Sequence, residues 1–272
     1  MADTETPVGA ALKLIEPGRG DFLLESVEGG EVRGRYSLLG IDADLMFRAT
    51  GETCEVNRKW RHDREAFEPL AGNSLDELRA LAGACRIEVP EDLPPIACLV
   101  GYFGYETIGL VEALPRARSE SELALPDMLF ARPTLILLFD RLSDDLFCIA
   151  PLWAPKDGSA ADPDRAIEAA GDRIDEALRK LAAAPPLPVR APELPAMALE
   201  PVMDGADYQA MVLKAKEYIE AGDIFQVVLA QRFKCPFPLP PLALYRALRR
   251  VNPSPFLYFL DLPGFAVVGS SP

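Results

Sequence analysis

The sequence predicts an α+β protein, and three observations carry that prediction. Short apolar runs, among them Ile96 to Phe103, Thr134 to Phe139 and Leu146 to Ala150, are bounded by Pro, Gly or Asp, the pattern of buried strands between turns. Capping signals open helices between and after those runs. A proline-dense stretch then separates an earlier, sheet-rich part from a later part of different texture.

In chain order, residues 1–183 make the first unit. Ser74-Leu75-Asp76-Glu77 reads as a capping box that starts a helix running to about Ala84. Asp162-Pro163 starts another, with Asp at the N-cap, Pro at N1, and Ile167, Ala170, Ile174, Leu178 and Leu181 along one face. That helix runs into Ala184-Pro185-Pro186-Leu187-Pro188, with Pro192 and Pro195 beyond, so residues 184–202 are expected to be an extended linker.

Residues 203–272 form the start of a second domain. Asp204 caps a helix whose buried face is Tyr208, Met211, Val212, Ala215 and Ile219, and Gly222 ends it. Ile224 to Phe233 reads as a strand, and Pro241 begins a helix to about Arg250. Phe256 to Leu262 and Phe265 to Gly269 read as a hairpin turned at Pro263-Gly264. The sequence stops at Gly269-Ser270-Ser271-Pro272, straight after a strand in need of partners, which leads us to expect a fragment of a larger protein.

Composition narrows the function. Hydrophobic residues make up 49% and charged residues 26%, an ordinary globular balance. No apolar run reaches the roughly 18 residues that span a bilayer. The acidic start, Met1 to Thr6, lacks a signal pattern, so the expectation is a cytoplasmic protein without a membrane partner. A net charge of −14, from 42 acidic and 28 basic residues, works against nucleic-acid binding. It leaves room for an anionic substrate held by a local cationic pocket or a metal.

The five cysteines are scattered and never spaced as CxxC, which argues against a disulfide framework or a zinc site. Cys98 reads as a small core residue. The lone histidine, His62, lies among Arg61, Asp63 and Arg64 and reads as a solvated surface residue.

Four segments go further: Leu23-Leu24-Glu25-Ser26 with Gly34-Arg35-Tyr36-Ser37 soon after; Gly101 to Glu106; Gly222 to Leu229; and Asn252-Pro253-Ser254-Pro255-Phe256. In this order and at these separations they resemble anthranilate synthase component I, of the chorismate-utilising enzymes, from about residue 8 to the end. The resemblance implies an orthogonal β-sandwich with flanking helices, incomplete at its carboxyl end.

Read by itself, the LLES segment is a strand end with Glu25 in solvent. The resemblance implies instead half of a feedback site for L-tryptophan, built from Leu24, Glu25 and Ser26, with Ser37 nearby. A free amino acid needs a carboxylate or carbonyls for its ammonium, donors for its carboxylate and an apolar slot for its side chain. Glu25 suits the ammonium and Ser26 the polar end. Asn252 to Leu257 alone would be a rigid helix-to-strand turn. The resemblance makes Pro255, Phe256 and Leu257 the other wall, with Phe256-Leu257 standing where many relatives carry Tyr-Met. A ligand touching both stretches could bias how two units sit together, which is what allostery requires.

Gln226 bears on the reaction. By itself it could satisfy a buried polar network. By resemblance it stands where water-adding relatives place a lysine base, and ammonia attacks without needing that base. Gly101 to Glu106 reads as close packing, not chemistry. The resemblance further implies a heterotetrameric lyase that turns chorismate and ammonia into anthranilate and pyruvate. Ammonia would come from a separate glutamine amidotransferase subunit, and Mg²⁺ would be held by ligands in the half not seen here. The alternatives are aminodeoxychorismate synthase component I and a non-catalytic amino-acid-sensing module.

Overall fold

The computed structural model describes the chain apart from residues 1–3, 27–33, 88, 92, 94–95, 97, 115–121, 154–161, 185–196 and 272. By contact the chain divides into one unit of residues 1–186 with 241–272 and a second of residues 187–240. The division expected from chain order groups residues 241–272 with the second part; in the structure they complete a sheet of the first.

In the first unit, helix α1 (Pro7–Leu14) leads. Thr6 caps it, its hydroxyl accepting from Gly9 N at 3.0 Å, and Pro7 fills N1, where no donor is needed. Then come β1 (Asp21–Glu25), β2 (Tyr36–Ile41), β3 (Leu45–Thr50), β4 (Thr53–Asn57) and β5 (Glu68–Pro69). Helix α2 (Ser74–Ala84) has Asn73 as its cap, accepting from Asp76 N, so the start is one residue earlier than the expected capping box. Ser74 instead donates to Gly51 O at 2.6 Å.

Strands β6 (Val100–Phe103), β7 (Met128–Arg132), β8 (Leu135–Asp140) and β9 (Asp145–Ile149) follow, then helix α3 (Pro163–Ala182). Asp162 caps α3 as expected. Its inner face, however, is Ala170, Ile174, Ala177 and Leu181, while Ile167 and Leu178 are exposed. Ala177, Ile174 and Leu181 pack in one cluster with Ala10, Ala11 and Leu14 of α1.

In the second unit, β10 (Glu200–Pro201) pairs with β11 (Phe233–Lys234). Helix α4 (Gly205–Ala221) is capped by Asp204 and ended by Gly222 at φ 80°. Tyr208, Met211 and Ala215 are half-buried, but Val212 and Ile219 are exposed and no residue of α4 is fully buried. The strand expected over Ile224 to Phe233 is corrected: only Phe233 and Lys234 pair, because among the described residues no strand lies beside the rest, and an extended segment becomes a strand only through cross-strand hydrogen bonds. Most of the expected linker lies outside the described residues.

The first unit closes with α5 (Pro241–Val251), β12 (Phe256–Leu262) and β13 (Phe265–Ser271). The last two form the expected hairpin, with Leu262 opposite Phe265 and Gly264 at φ 83° behind Pro263. Six strands run in the order β13-β12-β1-β2-β8-β9 and five in the order β5-β4-β3-β7-β6, every pair antiparallel.

The two sheets pack face to face through Phe22, Leu260 and Leu262 on one side and Met46, Leu129 and Ala131 on the other. Helices α1, α3 and α5 cover the outer face of the larger sheet, and α2 that of the smaller. The fold is thus α+β, a sandwich of two open sheets with flanking helices. Gly101 is required where β6 meets β7: a Cβ there would lie 1.9 Å from Leu129 O. Among the described residues no helix is long and apolar enough to cross a membrane.

Candidate functional site

Side chains alternate along β1, so Leu23 and Glu25 face the helices while Phe22 and Leu24 face the core between the sheets. Glu25 pairs in register with Leu257 of β12. The early and late stretches therefore meet as neighbouring strands of one sheet. Helix α5 lies over them and presents Tyr245 and Arg249, four residues apart and so on one face.

Glu25 is 5% exposed. Tyr245 donates to its Oε2, and Arg249 donates from Nε to Oε2 at 3.0 Å and from Nη2 to Oε1 at 3.2 Å. A buried carboxylate without partners is costly; here both oxygens are satisfied and the charge is matched. Burial, reinforced by the neighbouring Glu25 charge, pushes the Tyr245 hydroxyl far above its ordinary pKa, so it remains a donor.

A cavity of about 240 Å³ opens beside this cluster, with Glu25, Ser26, Ser37, Phe139, Asp140 and Arg249 in its wall. Its size falls just short of the roughly 300–1,000 Å³ usual for drug-sized ligands, which suits a free amino acid better than a large cofactor. Of the residues expected here, Glu25, Ser26 and Ser37 share this wall. Leu257 is buried beside Glu25 but outside the cavity wall. Leu24 turns to the other face, and Phe256, by alternation, does the same and is 60% exposed.

Pro255 is half-buried in a turn that the serines hold: Ser254 donates to Ser271 O at 2.7 Å and accepts from Phe256 N at 3.0 Å. Gln226 belongs to the second unit, where it is exposed and outside any helix or strand. Tyr245 and Arg249 escaped the sequence reading. Their i, i+4 spacing puts them on one helix face, but nothing local pairs that face with Glu25.

Asp140 is held by Arg35 through a two-pronged contact at 2.8 and 2.6 Å. That hydrogen bonding, opposed by burial and aided by Leu142 N, draws its pKa down to about 2. A carboxylate whose pKa falls on folding adds stability that is complete above about pH 4 and fades as pH drops toward 2. Asp140→Asn should therefore lower the urea midpoint at pH 6, with the gap from the parent narrowing at pH 3. A gap independent of pH would contradict the ion pair's contribution.

Among the described residues no group of three or more His, Cys, Asp or Glu is placed to hold a metal ion.

The chorismate binding enzyme family matches residues 21–272, and the chain belongs to that family. Within it, the chain is similar to anthranilate synthase component 1 of Cereibacter sphaeroides, 46% identical over 273 residues that cover 100% of this chain and 54% of the relative. The component 1 of Thermus thermophilus is 38% identical over 284 residues, again with 100% and 54% coverage. Among solved structures, anthranilate synthase component I from Streptococcus pneumoniae TIGR4 superposes with a TM-score of 0.71 at 23% identity, covering 99% of this chain and 56% of that one, and supports the fold. The chain spans about half the length of the curated relatives it matches.

Proposed function

We propose that this chain is part of an anthranilate synthase component I that converts chorismate and ammonia into anthranilate and pyruvate and is inhibited by L-tryptophan. The observation that carries the regulatory half is the pairing of Glu25 with Leu257 beside a cavity of amino-acid size. A buried anion flanked by serine hydroxyls gives an α-ammonium a partner and leaves donors for a carboxylate. The catalytic half rests on membership of the chorismate binding enzyme family and on relatives bearing the anthranilate synthase name. Gln226 in place of a lysine base favours amination over hydration.

On this reading the protein works in the cytoplasm. A glutamine amidotransferase subunit supplies ammonia, and Mg²⁺, bound by residues of the remaining half, orients the substrate carboxylate. The exposed apolar residues of the second unit, including Phe225 and Val228, suit a domain completed by that remaining length.

The test is to express the full-length protein and this 272-residue chain side by side with chorismate, ammonium and Mg²⁺, following anthranilate fluorescence. The full-length protein should turn over and be silenced by L-tryptophan, and the shorter chain should not turn over. A non-fluorescent aminated product would move the assignment to aminodeoxychorismate synthase. Turnover that ignores L-tryptophan would remove the regulatory site.

A further inference from the structure

A second cavity, of about 260 Å³, is walled by α3, the exit of α1 and the β2–β3 turn, and it shares no wall residue with the cavity beside Glu25. We infer that it holds a small oxyanion, a carboxylate or phosphate group, gripped by Arg173. Residues 173, 177 and 180 recur at helical spacing, so Arg173 and Lys180 share a face of α3 with the buried Ala177. Arg173 is half-buried, and among the described residues its Nε is shielded from solvent without a hydrogen-bond partner. A buried donor left unpaired is costly, more so on a charged group, and a guanidinium offers five donors in a fork that fits an oxyanion.

The surrounding charges leave that fork to a ligand. In a chain of net charge −14, this wall carries four cations, Arg19, Arg61, Arg173 and Lys180, against three acids. Of the acids, Asp42 is paired with Arg61 and accepts from the Thr134 hydroxyl at 3.1 Å, Glu176 lies 3.8 Å from Lys180, and Asp172 is exposed. Arg19 is bound to the buried Asp21 at 2.7 Å. Burial, then the nearby Arg61 charge, pushes the Arg173 pKa below its ordinary value against the pull of Asp42 and Asp44, and Asp44 is itself held by Arg132 at 2.8 Å. An anion in the cavity would replace the repulsion between Arg61 and Arg173 with two attractions. Leu14, Ile41 and Leu135 give the rest of the wall apolar surface, which suits the body of a small organic acid beside its charged group.

The experiment is calorimetry on the full-length protein with benzoate, inorganic phosphate and the uncharged benzamide, at an ionic strength held constant with chloride, since salt screens charge. The parent should take up benzoate or phosphate, and the stronger of the two tells a carboxylate from a phosphoryl ligand. Benzamide should bind at least about tenfold less tightly than that anion. Arg173→Gln should weaken the anion by roughly 10- to 150-fold, the range of a charge-assisted hydrogen bond. Arg173→Lys, which keeps the charge and loses the fork, should fall between. Arg165 is an exposed arginine of the same helix outside the cavity, and Arg165→Gln should bind like the parent.

Thermal unfolding of each variant establishes that it is folded, and a saturating amount of the bound anion should raise the midpoint of the parent but not that of Arg173→Gln. Should Arg173→Gln fail to fold, Arg173→Lys is read alone, with weakened binding expected. A parent that binds neither anion, benzamide bound as tightly as the anion, or an Arg173 variant that binds the anion like the parent would each overturn the inference. None of these outcomes touches the reading of the Glu25 cavity, and failure of L-tryptophan to bind leaves this site standing.

Discussion

Asp21→Ala should cost about 3–5 kcal/mol of stability, the usual loss when one partner of a buried ion pair is deleted. Asp21 is fully buried at the start of β1. Its Oδ1 accepts from Arg19 Nε at 2.9 Å and from Asp42 N at 2.9 Å; its Oδ2 accepts from Arg19 Nη2 at 2.7 Å and from Glu16 N at 3.0 Å. One carboxylate thus ties the exit of α1, the first strand, and the β2–β3 turn, where Asp42 adopts φ 59°. Arg19 Nη2 also donates to Leu14 O, and Trp60 Nε1 donates to Arg19 O. Removal would strand a mostly buried guanidinium and two amides. Urea unfolding of the full-length protein measures it, and a loss below about 1 kcal/mol would show that water replaces the carboxylate.

Phe259→Ala should be comparably damaging, about 3–5 kcal/mol. Phe259 has no exposed surface, sits opposite Leu23 on β1 and Val268 on β13, and meets the Tyr245 ring at 5.9 Å. The void would open directly beneath Tyr245, whose hydroxyl holds Glu25. On the proposed regulatory reading, binding of L-tryptophan should therefore weaken along with stability, while Phe259→Leu, which fills most of the space, should spare much of both. Calorimetry and unfolding on the same two variants separate the effects. If the alanine variant is destabilised but binds L-tryptophan like the parent, Tyr245 does not position Glu25.

Local backbone signals are legible in the sequence, and long-range pairing is not. Signals written within a few residues were readable: Asp162-Pro163, Asp204 with Gly222, and Pro263-Gly264 each act through local backbone chemistry. Helix α1 was missed although Thr6-Pro7 is the same kind of signal, a hydroxyl cap followed by Pro at N1. The Ser74 start shifted by one because Asn73, an equally good cap, stands just before it.

The reading of Ile224 to Phe233 as a strand failed for another reason: an apolar run says nothing about whether a neighbour lies alongside. The same limit hid the core of the candidate site. Glu25 was singled out, but its contacts to Tyr245 and Arg249 depend on a helix more than two hundred residues away in sequence. The resemblance implies that the LLES and NPSP stretches meet; their register as adjacent strands is set by the long-range pairing of β1 with β12.

Because β1 is flanked by β2 on one side and β12 on the other, the sheet cannot be finished in the order the ribosome delivers it. Strand β2 can zip onto β1 early, with β8 on β2 and β9 on β8, but the opposite edge of β1 stays bare until residues 256–262 have emerged. A growing chain would carry that sticky border, with the Glu25 charge still unmatched, through synthesis of everything between. Arrival of α5 and β12 would then cover the edge and neutralise the carboxylate in one step, so that closing this sheet and forming the cavity beside Glu25 are the same event.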